Sequence, residues 1–99
     1  MTPDQAIREH ADRLAAELPG TEMDDDTWSS GGHQFAVLSG DAIELRLDEP
    51  VARAATRTPD TSPSDRGPAW VRFEPRELDG HAIDRLEAWF RFAYRKAGE

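Results

Sequence analysis

The stretch that decides the fold runs over residues 33–47 and reads His-Gln-Phe-Ala-Val-Leu-Ser-Gly-Asp-Ala-Ile-Glu-Leu-Arg-Leu. Residues 33–38 turn apolar from Phe35 onward and are compatible with a strand, and Ser39-Gly40-Asp41 is typical of a turn. Beyond the turn, apolar residues alternate with charged ones: Ile43, Leu45 and Leu47 against Glu44 and Arg46. This pattern predicts a β-hairpin whose second strand directs its apolar side chains to the core and both charged side chains to water.

Long helices are predicted on either side of this hairpin. The first covers about residues 3–18, because apolar side chains recur there at helical spacing and Pro19-Gly20 cannot continue the helix. The last begins after the N-cap residue Asp79 and extends to about Ala97, again with one apolar face.

The remaining segments complete the predicted architecture. Residues 21–32 read as a loop with room for one short edge strand, and residues 51–56 as a short helix. Residues 57–68 contain three prolines and predict a long loop, which is followed by a strand over residues 70–73. Because strands and helices do not alternate regularly, residues 1–99 predict one α+β domain, with an antiparallel sheet packed against an N-terminal and a C-terminal helix.

The composition excludes some classes of chemistry. The 99 residues include 20 acidic and 12 basic side chains, for a net charge of −8, and no cysteine, which rules out disulfides and thiolate sites. Eleven arginines, one lysine, fourteen alanines and no asparagine fit a halophile-type cytoplasm at molar salt, where carboxylate repulsion is screened within about 3 Å. A GC-rich genome in an ordinary cell is the alternative explanation, since it also favours arginine and alanine.

The distribution of charge and hydropathy suggests the location and the partners. Residues 1–49 carry a net charge of −9 and residues 50–99 carry +1, so an anionic partner is better sought in the second half. The chain shows no long apolar stretch and no signal-like start, which predicts a cytoplasmic protein without a membrane segment.

Three short motifs carry a family resemblance. Gln34-Phe35-Ala36-Val37, then Trp70-Val71-Arg72-Phe73 and a final helix with Ala93-Tyr94, resemble the small MmcQ/YjbR-like proteins, and a similar group is the small luciferase-named domain family. The resemblance covers about residues 11–95. It implies a helix-flanked antiparallel sheet and a proposed nucleic-acid-binding or protein-binding role, with no catalytic residues to transfer. Residues 65–69 replace a lysine-bearing segment of that pattern, which counts against nucleic-acid binding.

Catalytic, cofactor and metal signatures are not recognised in the sequence. His10, His33 and His81 are far apart, and the consecutive aspartates 24–26 lack the alternate spacing of a calcium loop. The serines stand in turns or loops and none lies in a Gly-x-Ser-x-Gly elbow. We therefore expect no catalytic, cofactor-binding or metal-binding residues.

The last helix offers a candidate interaction face. Its helical angle places Phe92 nearly opposite the apolar stripe, on a face where aromatic and basic residues are interleaved: Arg85, Ala88, Trp89, Phe92, Arg95 and Lys96. Three explanations stay open. Phe92 is covered by residues 57–68 or a helix, it pairs in a homodimer, or it contacts a nucleic-acid strand.

These observations leave three functional hypotheses. The first is a non-enzymatic interaction module that binds a protein partner or a second copy through the C-terminal helix face. The second is a small ligand-binding protein or enzyme whose site lies under the loop at residues 57–68, near Trp28, Arg66 and Trp70. The third is a nucleic-acid-binding module.

Overall fold

Six antiparallel strands form one sheet in the order β1-β2-β3-β4-β6-β5 in the computed structural model, which describes residues 3–98. With three helices, the elements in chain order are α1 (Pro3–Glu17), β1 (Thr21–Asp24), β2 (Thr27–Ser30), β3 (His33–Ser39), β4 (Ala42–Arg46), α2 (Glu49–Ala55), β5 (Thr61–Pro63), β6 (Trp70–Phe73) and α3 (Gly80–Ala97). The predicted α+β class, with an antiparallel sheet flanked by an N-terminal and a C-terminal helix, is confirmed. Within the described residues, no helix combines the length and the apolar character needed to cross a membrane.

The predicted hairpin is the β3–β4 pair, closed by Gly40 with φ of +60°. On its other side β3 pairs with β2 irregularly, because Trp28 lies opposite Ala36 while Ser29 lies opposite Gln34. Phe35 is therefore the extra residue of a β-bulge. The bulge lets Phe35 and Ala36 both join the hydrophobic core, which strict alternation would forbid.

The core forms between the helices and one face of the sheet. Its strand members share that face or the bulge: Trp28, Phe35, Ala36, Leu38, Ile43, Leu45, Val71 and Phe73. Phe90 of α3 lies at the centre, with its ring centroid 5.9 Å from that of Trp28 and 5.2 Å from that of Phe35, both edge-on. Asp79 caps α3 as predicted, since its carboxylate accepts a hydrogen bond from the Ala82 N–H at 2.9 Å.

The prediction of a loop over residues 21–32 is wrong in its main part. The segment forms the β1–β2 hairpin, whose turn contains Asp25 with φ of +52°, a conformation that aspartate tolerates better than most residues. The guanidinium of Arg8 in α1 stabilises this turn. It donates hydrogen bonds to the Asp26 carboxylate and, at 3.2 Å, to the Asp25 carbonyl. An acidic run therefore serves as a hairpin turn.

The prediction of a loop over residues 57–68 also needs correction. Thr61–Pro63 pairs with β6 and forms the short edge strand β5. Proline is tolerated there because an edge strand leaves one side of its backbone unpaired. The short helix before it is close to the prediction: α2 covers Glu49–Ala55 and is capped by Asp48, whose carboxylate accepts from the Val51 N–H at 2.8 Å.

The hairpin prediction is wrong for one side chain. Arg46 is exposed as expected, but Glu44 is buried on the sheet face opposite the core. Val37 and Arg72 flank it on the neighbouring strands of the same face. None of these three strand residues belongs to the main hydrophobic cluster, and Glu44 is covered by a segment from elsewhere in the chain.

Candidate functional site

A cleft of about 290 Å³ opens between α2 and the segment that joins β5 to β6. Its lining comes from α2 on one side and from the β5–β6 region on the other: Glu49, Ala52, Arg53 and Thr56, then Pro63, Ser64, Gly67, Pro68 and Trp70. We call residues 64–69 the strap, because this segment forms one wall of the cleft.

Trp70 is held against the strap by local geometry. Gly67 has φ of +147°, a conformation open mainly to glycine, and its carbonyl accepts a hydrogen bond from the Trp70 N–H at 3.1 Å. A side chain at position 67 would begin 3.7 Å from Cδ1 of the indole. The half-buried ring therefore packs on the glycine backbone and forms a flat apolar surface in the cleft.

The strap is fixed to the sheet by Glu44. The Ser64 hydroxyl donates to Oε1 of Glu44 at 2.6 Å, and Arg66 Nε donates to Oε2 at 3.0 Å. The backbone N–H of Arg66 also donates to the Ser64 hydroxyl at 3.1 Å, so the three residues form a small network. Both carboxylate oxygens of Glu44 are thus bonded to the strap.

The electrostatics of Glu44 favour its charged form. Burial alone would raise the pKa of the Glu44 carboxyl, but hydrogen bonds from Ser64 and Arg66 and the charges of Arg66 and Arg72 outweigh it. The pKa of Glu44 is therefore lower than that of an ordinary glutamate. A carboxylate that stays ionised accepts hydrogen bonds and is unsuited to acting as a general acid near neutral pH.

Two of the three residues predicted near the loop site come together. The guanidinium carbon of Arg66 lies 5.6 Å from the ring centroid of Trp70, a cation–π contact, and Trp70 lines the cleft. Trp28 is fully buried in the core against Phe90, on the helix side of the sheet, and does not line the cleft. Its position could not be deduced while the β1–β2 hairpin was read as a loop.

The face predicted on the last helix is less open than its helical angle suggests. The Arg85 guanidinium carbon lies 5.4 Å from the Phe73 ring centroid, and the Trp89 ring lies 5.3 Å from the same centroid. Phe92 is partly buried and packs against the core, in agreement with the first of the three open explanations, that the rest of the protein covers it. Of the other predicted residues, Lys96 is half-buried, and Ala88 and Arg95 are exposed.

The polar groups of the cleft are largely used within the protein. The Thr56 hydroxyl donates to the Arg53 carbonyl at 2.7 Å, and the Ser64 hydroxyl serves Glu44. Arg53 and Glu49 form an exposed pair at 3.4 Å on the rim. Across residues 3–98, no three histidine, aspartate or glutamate side chains are placed to share a metal ion.

Sequence reasoning missed Glu44, Ser64 and Ala52 as parts of this region. Strand alternation assigned Glu44 to water, and nothing local indicated that a segment 20 residues later would cover it. The available signal was the Pro-rich loop itself, since a long loop between paired strands must lie on some surface.

Comparisons with protein-family models, with curated proteins and with solved structures give no match.

Proposed function

We propose that the protein is a non-enzymatic binding protein that takes a small ligand with a flat, ring-bearing portion in the cleft between α2 and the strap. The observation that carries this proposal is the half-buried indole of Trp70, which forms an apolar wall of the cleft beside Ala52. Ligand sites in proteins are mostly apolar concavities with a few polar groups at their edges. This cleft has that character, with the Arg53–Glu49 pair on its rim.

The size of the cleft limits the ligand. At about 290 Å³ it lies near the lower end of the range for small-molecule sites, about 300–1,000 Å³. A ligand of one or two rings stacked on Trp70 fits this space better than an extended chain. The lowered pKa of Glu44 makes its carboxylate a weak base toward the Ser64 hydroxyl, which supports binding rather than nucleophilic chemistry.

The setting we propose for this function is a saline cytoplasm. It is supported by the net charge of −8 and by the almost complete replacement of lysine by arginine. At high salt, exposed charges attract ligands weakly because the Debye length is short. A ring stacked on an apolar wall keeps its affinity under those conditions, which agrees with the cleft described above.

A nuclear magnetic resonance titration tests the proposal. Indole, benzoate and adenosine are added in turn to ¹⁵N-labelled protein in molar KCl, and the indole N–H signal of Trp70 and the amide signals of Ala52 and Gly67 are followed. We expect at least one probe to give saturable shifts at these positions. Trp70→Ala should weaken that binding about tenfold or more, through the loss of ring stacking and apolar contact.

The same titration includes a matched region of the surface. Ala88 and Arg95 are exposed on α3, and their signals should stay unmoved. Shifts confined to α3, or none at Trp70 with any probe, would contradict a ring site in the cleft. The interaction role predicted for the α3 face has less support, since Arg85, Trp89 and Phe92 are engaged with the rest of the protein.

A further inference from the structure

Glu44 is the unusual group of the sheet. Its side chain is 9% exposed, although it lies on the sheet face opposite the one that packs on α1 and α3. Of the charged groups near it, Arg66 belongs to the strap and Arg72 to β6, while β3 presents the uncharged Val37. A buried carboxylate costs free energy unless hydrogen bonds and opposite charges compensate for it, and here the strap supplies both hydrogen bonds.

The middle of the strap has few strong backbone attachments. The Ser64 N–H lies 3.4 Å from the Trp70 carbonyl and the Gly67 N–H lies 3.5 Å from the Ser64 carbonyl, and both distances are long for hydrogen bonds. The end of the strap does have a short backbone bond to a neighbouring segment, from the Leu47 N–H to the Ala69 carbonyl at 2.7 Å. The two side-chain bonds to Glu44, at 2.6 and 3.0 Å, are shorter than the contacts in the middle, and both are made to the charged carboxylate. The attachment of the middle of the strap to the sheet therefore depends mainly on the hydrogen bonds to Glu44.

The strap is also a wall of the proposed ligand site. Ser64, Gly67 and Pro68 line the cleft, and Ser64 is at the same time a partner of Glu44. Movement of the strap away from the sheet would thus open the cleft on one side. Loops that close over a site commonly control the entry and release of a ligand.

We propose that Glu44 is a latch: its carboxylate holds the strap closed through Ser64 and Arg66, and loss of these two bonds opens the cleft. The latch deepens the proposed function and rests on it for the identity of the occupant. Its mechanical part can be tested without any ligand. Arg66 makes this possible, because trypsin must bind the same arginine side chain that Glu44 holds.

Limited trypsin digestion of the folded full-length protein at neutral pH provides the test. Cleavage between Arg66 and Gly67 is followed by mass spectrometry, with circular dichroism recorded in parallel to show that the fold persists. In the native protein this bond should be cut slowly. In Glu44→Gln, which keeps the size of the side chain but loses its charge, cleavage there should be about tenfold faster or more.

Matched variants make the result specific. Glu74→Gln removes an exposed carboxylate that pairs with Arg72 at 3.4 Å, and should leave cleavage at Arg66 unchanged. Ser64→Ala removes one of the two latch bonds without touching any charge, and should give an intermediate rate. If Glu44→Gln fails to fold, Ser64→Ala decides alone.

The outcomes separate the latch from the ligand site. Equal cleavage rates in the native protein and in the folded Glu44→Gln or Ser64→Ala variant overturn the latch, whatever binds in the cleft. Faster cleavage in a protein to which no ring-bearing probe binds supports the latch and overturns the proposed ligand.

Discussion

The two faces of the sheet are stabilised in different ways. The face that packs on the helices is built from apolar side chains around Phe90, and the guanidinium of Arg85 adds a charged contact to the ring of Phe73. The opposite face is covered in part by the strap, which depends on Glu44, Ser64 and Arg66. Apolar burial depends little on pH, whereas a buried carboxylate depends on its ionisation. We therefore expect the first face to determine the global stability of the protein, and the second face to control the cleft locally.

The largest effect on stability is expected from a substitution in the core, on the sheet face that packs against the helices. Phe90→Ala removes the ring between Trp28 and Phe35 and should lower the free energy of unfolding by about 3–5 kcal/mol, as other large-to-small core substitutions do. Urea unfolding followed by circular dichroism measures this loss. Phe92→Ala is the matched control, because its ring is only partly buried, and it should cost about 1–2 kcal/mol. Equal losses at the two positions would show that Phe90 is not the centre of the core.

A smaller effect is expected from the opposite face, and it should depend on pH. The pKa of Glu44 is lowered in the folded protein, so its ionisation stabilises the fold above the unfolded-state pKa. We expect Glu44→Gln to cost about 1–3 kcal/mol at pH 7. As the pH falls below about 4.3 and through the lowered pKa of the folded state, this stabilisation is lost and the two proteins should converge.

Unfolding curves of both proteins at several pH values measure this convergence. Glu74→Gln serves again as the control, since an exposed ion pair contributes about 1 kcal/mol or less. A gap between the native protein and Glu44→Gln that stays constant into the acid range would argue that shape rather than charge matters at position 44.

The smallest effect is expected from salt, which acts on the molecule as a whole. The net charge of −8 repels itself at low ionic strength, so moving from dilute buffer to molar KCl should raise the free energy of unfolding by about 1 kcal/mol. For a domain of this length that corresponds to a rise in Tm of about 4–8 °C. Identical melting curves in the two solutions would favour the GC-rich genome as the origin of the composition.

The elements predicted correctly have strong local signals. The β3–β4 hairpin has a glycine turn and alternating apolar residues, and α3 has a capping aspartate and a regular apolar stripe. These features depend on neighbours in the sequence. They indicate which segments form strands and helices, and they place Ile43 and Leu45 in the core.

The elements missed depend on neighbours in space. The β1–β2 hairpin turns at acidic residues that a sequence reading assigns to solvent, and β5 contains a proline that its edge position permits. The helical angle of Phe92 points away from the apolar stripe of α3, yet the side chain is partly buried against the core. A helical-wheel projection does not show which other elements cover the side of a helix. For the same reason the sequence did not predict the contact between Glu44 and the strap, because these residues are distant in sequence and meet only in the folded protein.

The borders of the sheet carry one more consequence. An unpaired strand at a border is a template on which further chains can add and grow into fibres. At one border Pro63 offers no N–H for such pairing, and β5 is only three residues long. At the other, Glu22 and Asp24 put negative charge on an exposed strand, which repels a second copy. Two unrelated devices, a proline and a pair of acidic side chains, thus protect the two borders of the sheet against the addition of a second copy.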